Sequence, residues 1–376
     1  MKAVKLSAQF LLMTALLWMP VNSEAFPFGK KAAGLEESAQ AAYGPGGMTI
    51  TPDGSYIISC HQFFDPEMKV IRMDKDEMWQ AFPNRAMNTG EGNAPLVLDS
   101  VLGVECDKDG IVWMLDNGRR SEKQPKLVAW NTKKNRLHRV IPITEAALIE
   151  TSFLDDLALD PEEPFIYLAD PAAGDDAALI VVDLVTGLSR RVLHGDHAVR
   201  AEKIGLRMDG QRVTVKRPDG RQVQPLGGVN PIAVDKKGKW LFFGPMNGRI
   251  LYQIPTKDLR NPALLEEELT GRIKRVSGQK PIASSMSIDS KGNIYFADIQ
   301  RHAITYISVA DQRLHELVTD PRILWPDGLT FGTDGKLHFF TSQLNRSAIF
   351  NGGKDRSQPP YWIFKIKAKA SGTVGR

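Results

Sequence analysis

The sequence predicts an all-β chain, a six-bladed β-propeller with four-stranded antiparallel blades, and three observations predict it. First, a short phrase recurs six times: Gly46-Gly-Met-Thr-Ile-Thr-Pro-Asp-Gly54, Leu102-Gly-Val-Glu-Cys-Asp-Lys-Asp-Gly110, Asp155-Asp-Leu-Ala-Leu-Asp-Pro-Glu-Glu-Pro164, Asn230-Pro-Ile-Ala-Val-Asp-Lys-Lys-Gly238, Ser284-Ser-Met-Ser-Ile-Asp-Ser-Lys-Gly292 and Asp327-Gly-Leu-Thr-Phe-Gly-Thr-Asp-Gly335. Second, each phrase runs straight into an apolar strand, such as Val112-Trp-Met-Leu115 or Ile294-Tyr-Phe-Ala297. Strand, turn and strand make a hairpin. Third, the phrase ends lie 43 to 74 residues apart, enough for four strands each time. Such a unit cannot bury both faces alone, so the copies must stack in a ring.

At the N-terminus, Lys2 and Lys5 precede a mostly apolar stretch, Phe10 to Val21, and Ser23-Glu24-Ala25 supplies small residues. This is the pattern of a secretory signal peptide, with residues 1–25 removed and the mature propeller domain spanning 26–376. The apolar stretch is too short to span a bilayer, so no transmembrane segment is expected after cleavage. Secretion or export to a periplasm follows. Net charge is +4, and removing Lys2, Lys5 and Glu24 leaves +3. Basic residues are scattered without aromatic interleaving, so no nucleic-acid partner is implied. Cys60 and Cys106 fall in adjoining blades, and either a bridge or two buried thiols would suit an exported chain.

Between the signal and the first phrase, Phe26 to Pro45 is weakly patterned and reads as a surface segment. The long gap from Leu193 to Leu226 reads as the outer hairpin of the third blade plus an extended loop. Leu259 to Glu268 reads as one short surface helix. Tyr361-Trp-Ile-Phe-Lys-Ile366 is a strand, and is expected to complete the last blade.

The repeat also places the chemistry. If the first residue of each phrase marks the channel mouth, Gly46, Leu102, Asp155, Asn230, Ser284 and Asp327 form one ring. The returning strand brings Cys60, Asp116, Asp170, Gly244, Asp298 and Thr341 to the same end. One mouth is therefore rich in oxygen ligands, while the other should carry only turns. Asp155, Asn230, Ser284 and Asp327 are the expected ligand contacts. Asn117, Asn247 and Gln300, which follow the second ring, are further candidates. The regular second-ring aspartates are expected to accept backbone hydrogen bonds. Glu105 sits three residues deeper, in a column of small residues. It is either paired structurally or poised near the channel. His61 and His302 lie at the correct end to act as a general base. No Gly-x-Ser-x-Gly elbow, nicotinamide fingerprint or phosphate loop occurs.

Several stretches resemble the yellow/major royal jelly protein family. They are Val101-Leu-Gly-Val-Glu-Cys-Asp107, Ile111-Val-Trp-Met-Leu-Asp-Asn-Gly118, Pro125-Lys-Leu-Val128, Ser152-Phe-Leu-Asp-Asp-Leu-Ala-Leu-Asp160, Gly238-Lys-Trp-Leu-Phe-Phe-Gly-Pro245, Leu251-Tyr-Gln-Ile-Pro-Thr256 and Trp325-Pro-Asp-Gly328. The resemblance implies a secreted six-bladed propeller that binds a small polar or amine-like molecule at one mouth. It also carries a dopachrome-conversion activity attached to the family name. A more distant similarity, to gluconolactonase/regucalcin and paraoxonase-type propellers, implies a calcium-type divalent cation on Asp155, Asn230 and Asp327, and with it lactone hydrolysis. This chain departs from that pattern at Gly46 and Leu102, where a glutamate ligand would be needed.

Overall fold

The structure, a computed structural model, describes residues 31–74, 78–94 and 96–376. The stretch read as a signal peptide, with its expected cleavage near Phe26, lies outside the described residues. Six four-stranded antiparallel sheets form the ring. The first blade comprises Pro45–Ile50, Tyr56–Cys60, Val70–Met73 and Trp79–Ala81. The second comprises Val101–Cys106, Ile111–Asp116, Lys126–Asn131 and Arg136–Pro142. The third comprises Leu157–Leu159, Phe165–Asp170, Ala178–Asp183 and Ser189–Val192. Val229–Val234, Trp240–Pro245, Ile250–Pro255 and Lys274–Gln279 make the fourth. Ala283–Ile288, Ile294–Asp298, Ala303–Ile307 and Leu314–Thr319 make the fifth.

The sixth blade differs from the expectation. Its inner strands are Pro326–Phe331 and Leu337–Thr341, and Tyr361–Ile366 is its third. Its outer strand is Glu36–Ala41, drawn from the stretch read as a surface segment. The two ends of the chain therefore lock the ring. Asp320 fixes this closure: it accepts the Ala32 N–H, while Arg322 bridges Asp320 and Glu37.

The recurring phrase has a local cause. Its aspartate folds back on the turn: Asp107 accepts from the N–H groups of Asp109 and Ile111, Asp235 from Lys239 and Trp240, and Asp289 from Lys291 and Asn293. These aspartate-capped turns reverse the chain at a positive-φ glycine such as Gly110 or Gly292. Apolar side chains then fill the spaces between blades. One cluster joins the third and fourth blades around Tyr167, Leu179, Phe243 and Ile254. Comparable clusters sit between every other neighbouring pair. Because each blade's face is covered by its neighbour, the ring is one cooperative core.

Two further expectations change. The long gap does not supply the third blade's outer strand, which is Ser189–Val192. Instead it forms two small separate hairpins, Arg207–Met208 with Gln211–Arg212 and Val215–Lys216 with Gln222–Val223. The single helix is split into Thr256–Arg260 and Glu266–Thr270, with Pro262 between them. Cys60 and Cys106 are both buried free thiols.

Candidate functional site

The channel mouth is shaped by irregular pairing. In the first, second, fourth, fifth and sixth blades the inner strand slips register beside its mouth position. A bulge of this kind re-aims side chains out of the sheet alternation. In the third blade the regular strand starts only at Leu157, so Asp155 and Asp156 both precede it. Asp155, Asn230, Ser284 and Asp327 consequently line one cavity of about 80 Å3, as sequence spacing placed them. Asp156 and Glu105 line it too.

Asn230 hydrogen-bonds the Asp155 carboxyl, whose pKa burial pushes up to about 7. Burial raises Asp327 to about 8, against hydrogen bonds from the Gly328 N–H and Ser284. Asp156 is held well above the usual carboxylate range by burial and by the charges of Asp155 and Asp327. Glu105 rises to about 7 through burial, opposed by Arg376 and by the Leu159 N–H that it accepts at 2.6 Å. Glu105 lines the channel cavity, and its basic partner is Arg376 of the closing segment rather than a base on the neighbouring blade, which contributes only the Leu159 N–H. The Asn230 Oδ1 atom is buried and has no hydrogen-bond partner.

Further parts of the chain pack at each end of the channel. The turn-lined end, expected to offer no convergence, is filled by residues 369–376. Thr49 donates to the Gly375 carbonyl at 2.7 Å, Phe331 N–H and Ser287 donate to the Arg376 carbonyl, and Arg376 donates to Leu159 O at 3.0 Å. Gly375 has φ +85, and a Cβ there would strike the carbonyls of Cys106 and Ile50. Over the mouth lies a separate apolar cluster containing Leu206, Met208, Val213, Trp325 and Leu344, packed by Phe63, Phe64 and Phe350. The Phe63 ring lies 6.2 Å from both Phe153 and Phe350, and Trp325 lies 6.0 Å from Phe350. Phe153 and Trp325 each stand two residues before a ring aspartate, which ties this aromatic roof to the mouth through short stretches of chain.

Other sequence candidates lie outside the cavity. His61 is buried, accepts the Phe63 N–H at 3.1 Å, and is driven down to about 3 by burial, so it stays neutral. His302 contacts Asp209 at 2.8 Å and the Ile323 carbonyl at 3.0 Å, which occupies both ring nitrogens. Asn117 bonds Leu154 O and Ser100, Asn247 bonds Gly227 N and Ile204 O, and Gln300 reaches Arg207 O. All three amides tie loops together because they sit where strands leave the sheet and unpaired backbone groups need partners. Asp116 and Asp170 do the same, accepting from Asp99, Ser100 and Phe153 N–H groups while pairing with Lys126 and Arg191. The fourth blade substitutes a cation: Gly244 leaves space for the fully buried Lys280, which donates to the Gly248 and Pro281 carbonyls.

Asp156, Arg376 and the roof were not anticipated. The Asp155-Asp156 doublet was the visible signal for the first; strand alternation would have turned one of the pair away. Among the described residues no three His, Cys, Asp or Glu side chains are grouped to hold a metal ion. A cation could use the two carboxylates of Asp155 and Asp327 and the unpartnered Asn230 oxygen. That set falls short of the about six to eight oxygens calcium takes, so water would complete it.

Comparisons with known proteins agree with this architecture. No curated protein sequence matches the chain. Among solved structures, a luciferin-regenerating enzyme superposes with TM-score 0.56 at 12% identity, covering 91% of this chain and 97% of its own. The PQQ-bound aldose sugar dehydrogenase of Streptomyces coelicolor gives TM-score 0.52 at 14% identity, covering 89% and 97%. A gluconolactonase of Xanthomonas campestris gives 0.50 at 10% identity, covering 88% and 89%. At such identities these likenesses establish the fold alone. In sequence, the family described as major royal jelly protein matches residues 99–373, most of the propeller. The chain belongs to the major royal jelly protein family.

Proposed function

We propose that this chain is an exported propeller that binds one small, polar, amine-like molecule at the carboxylate mouth. The observation that carries this reading is the Asn230 Oδ1 atom, buried without a partner beside Asp155 at the cavity that Asp327 also lines. An acceptor left bare in an enclosed site costs about 1–3 kcal/mol unless something donates to it. A protonated amine supplies the donor and the positive charge together. The cavity of about 80 Å3 suits an ammonium head with water, and an aromatic body would have to part the Phe63–Phe350 roof.

The same bare oxygen suits a calcium-type cation, and that is the second reading, with lactone hydrolysis or a dopachrome-type conversion as its enzymatic forms. Gly46 and Leu102 weigh against it, since neither offers an oxygen-bearing side chain at the ring.

Titration calorimetry with phenethylamine, with calcium, and with calcium plus chelator separates the two. Saturable binding of the amine near one per chain is expected, with lactone hydrolysis at background. Asp327→Asn should weaken the amine at least tenfold, whereas Asp298→Asn, whose carboxylate faces Arg301, should not. Chelator-sensitive lactone turnover lost in Asp155→Ala and Asp327→Ala would reverse the order of the two readings.

A further inference from the structure

A second cavity, of about 270 Å3, lies between the fifth and sixth blades, lined by connections at the mouth end of their strands. Trp362, Leu324, Pro321, Pro359 and Pro360 give it flat, apolar walls. Three basic side chains reach it, and two of them are fully committed. His302 is bonded at both ring nitrogens. Arg322 donates to both oxygens of the Asp320 carboxylate and to Glu37, and its guanidinium lies 5.1 Å from the centre of the Phe364 ring.

Arg346 is different. One of its terminal nitrogens donates to Gln343 Oε1 at 2.9 Å, and no carboxylate among the described residues pairs with it. Gln343 is itself fixed, since its oxygen also accepts the Gln358 N–H at 3.0 Å and its amide donates to Gln358 O at 2.7 Å. The guanidinium is thus held in place with N–H groups to spare, in a cavity that is otherwise apolar or already neutralised. A guanidinium fork of this kind matches a planar carboxylate, with two parallel hydrogen bonds. The carboxylate of Asp209 stands at the cavity edge, largely exposed and paired to His302, and disfavours a second negative charge there.

We propose that this cavity is a binding site for a small monocarboxylate with a flat apolar body. The carboxylate meets Arg346, and the body lies against Trp362 and the prolines. The site is separate from the channel and does not depend on what the channel binds.

Calorimetry on the full chain with benzoate tests it, with benzylamine as the same shape carrying the opposite charge. Benzoate should bind near one per chain. Arg346→Gln should weaken it at least tenfold, and Arg346→Lys, which keeps the charge but loses the fork, several-fold. Asp209→Asn should leave binding intact or strengthen it. Asp327→Asn should leave benzoate binding unchanged, which separates this site from the channel. No binding of benzoate at millimolar concentration would overturn the proposal, as would equal affinity in wild type and Arg346→Lys. If Arg346→Gln fails to fold, the lysine variant decides alone.

Discussion

Arg376 Nε lies 3.5 Å from Glu105 Oε1, so a residue at the end of the closing segment answers a carboxylate in the second blade's inner strand. This pair joins the channel floor to its wall. Arg376 is mostly buried and its guanidinium also holds the Leu159 carbonyl of the third blade. The floor is therefore braced by several blades at once.

Arg376→Ala should lower stability by about 1–2 kcal/mol, the range of one partly buried ion pair with its hydrogen bonds. It should also leave Glu105 without its countercharge, so that the carboxyl holds its proton to still higher pH. Thermal melts compare the variant with wild type, and the double variant Arg376→Ala/Glu105→Gln should regain part of the loss. If the double variant melts no higher than the single one, the pairing is not what stabilises the floor.

The carboxylate cluster sets a pH dependence with a definite sign. Asp155, Asp327 and Glu105 hold their protons more tightly in the folded chain, at about 7, 8 and 7, than the ordinary values of 3.8, 3.8 and 4.5. The folded state therefore binds more protons between those limits. Their contribution is fully present below pH 4 and is lost as pH rises toward 8. The direction of the loss is set by burial, which disfavours the charged form of all three carboxyls. Urea melts at pH 5 and pH 8.5 should show it, and Asp327→Asn should flatten the difference. A cation that needs ionised carboxylates should bind more tightly as pH rises from 6 to 9.

The expectation of export can be tested at the N-terminus. Cleavage after Ala25 would release the mature chain at Phe26 and leave the closing strand Glu36–Ala41 intact. N-terminal sequencing of the exported fraction should read Phe26 or a near neighbour. Recovery of the Met1 end in the membrane fraction would defeat the idea. No helix among the described residues is long and apolar enough to cross a membrane.

Much of the fold was legible because its signals are local. An apolar alternation of period two, an aspartate folded over its own turn and a positive-φ glycine are written within a dozen residues, and six copies in one register fix six blades. The same register placed Asp155, Asn230, Ser284 and Asp327 together, since inner strands meet only at the axis. The supporting role of Asp116 and Asp170 followed from their repetition.

What the sequence did not reveal rests on contacts between distant parts of the chain. Glu36-Glu-Ser-Ala-Gln-Ala41 has no apolar pattern of its own, yet it pairs with Tyr361–Ile366 through backbone hydrogen bonds, which carry no side-chain signature. The floor formed by residues 369–376 is likewise held by long-range bonds to several blades, in which backbone groups of the segment meet Thr49, Ser287 and Phe331 while the Arg376 side chain reaches Leu159 and Glu105. Asp156 entered the channel because the third blade's inner strand starts late, which alternation cannot express. Asn117, Asn247, Gln300 and His302 share the mouth end with the true channel residues, and only the path of the loops decided that their polar atoms would be used on backbone. Sequence by itself determined the repeating unit and the ring of first residues; tertiary structure decided how the ring closes, what seals its two ends and which polar atoms remain unpaired, because those depend on where loops and chain ends come to rest.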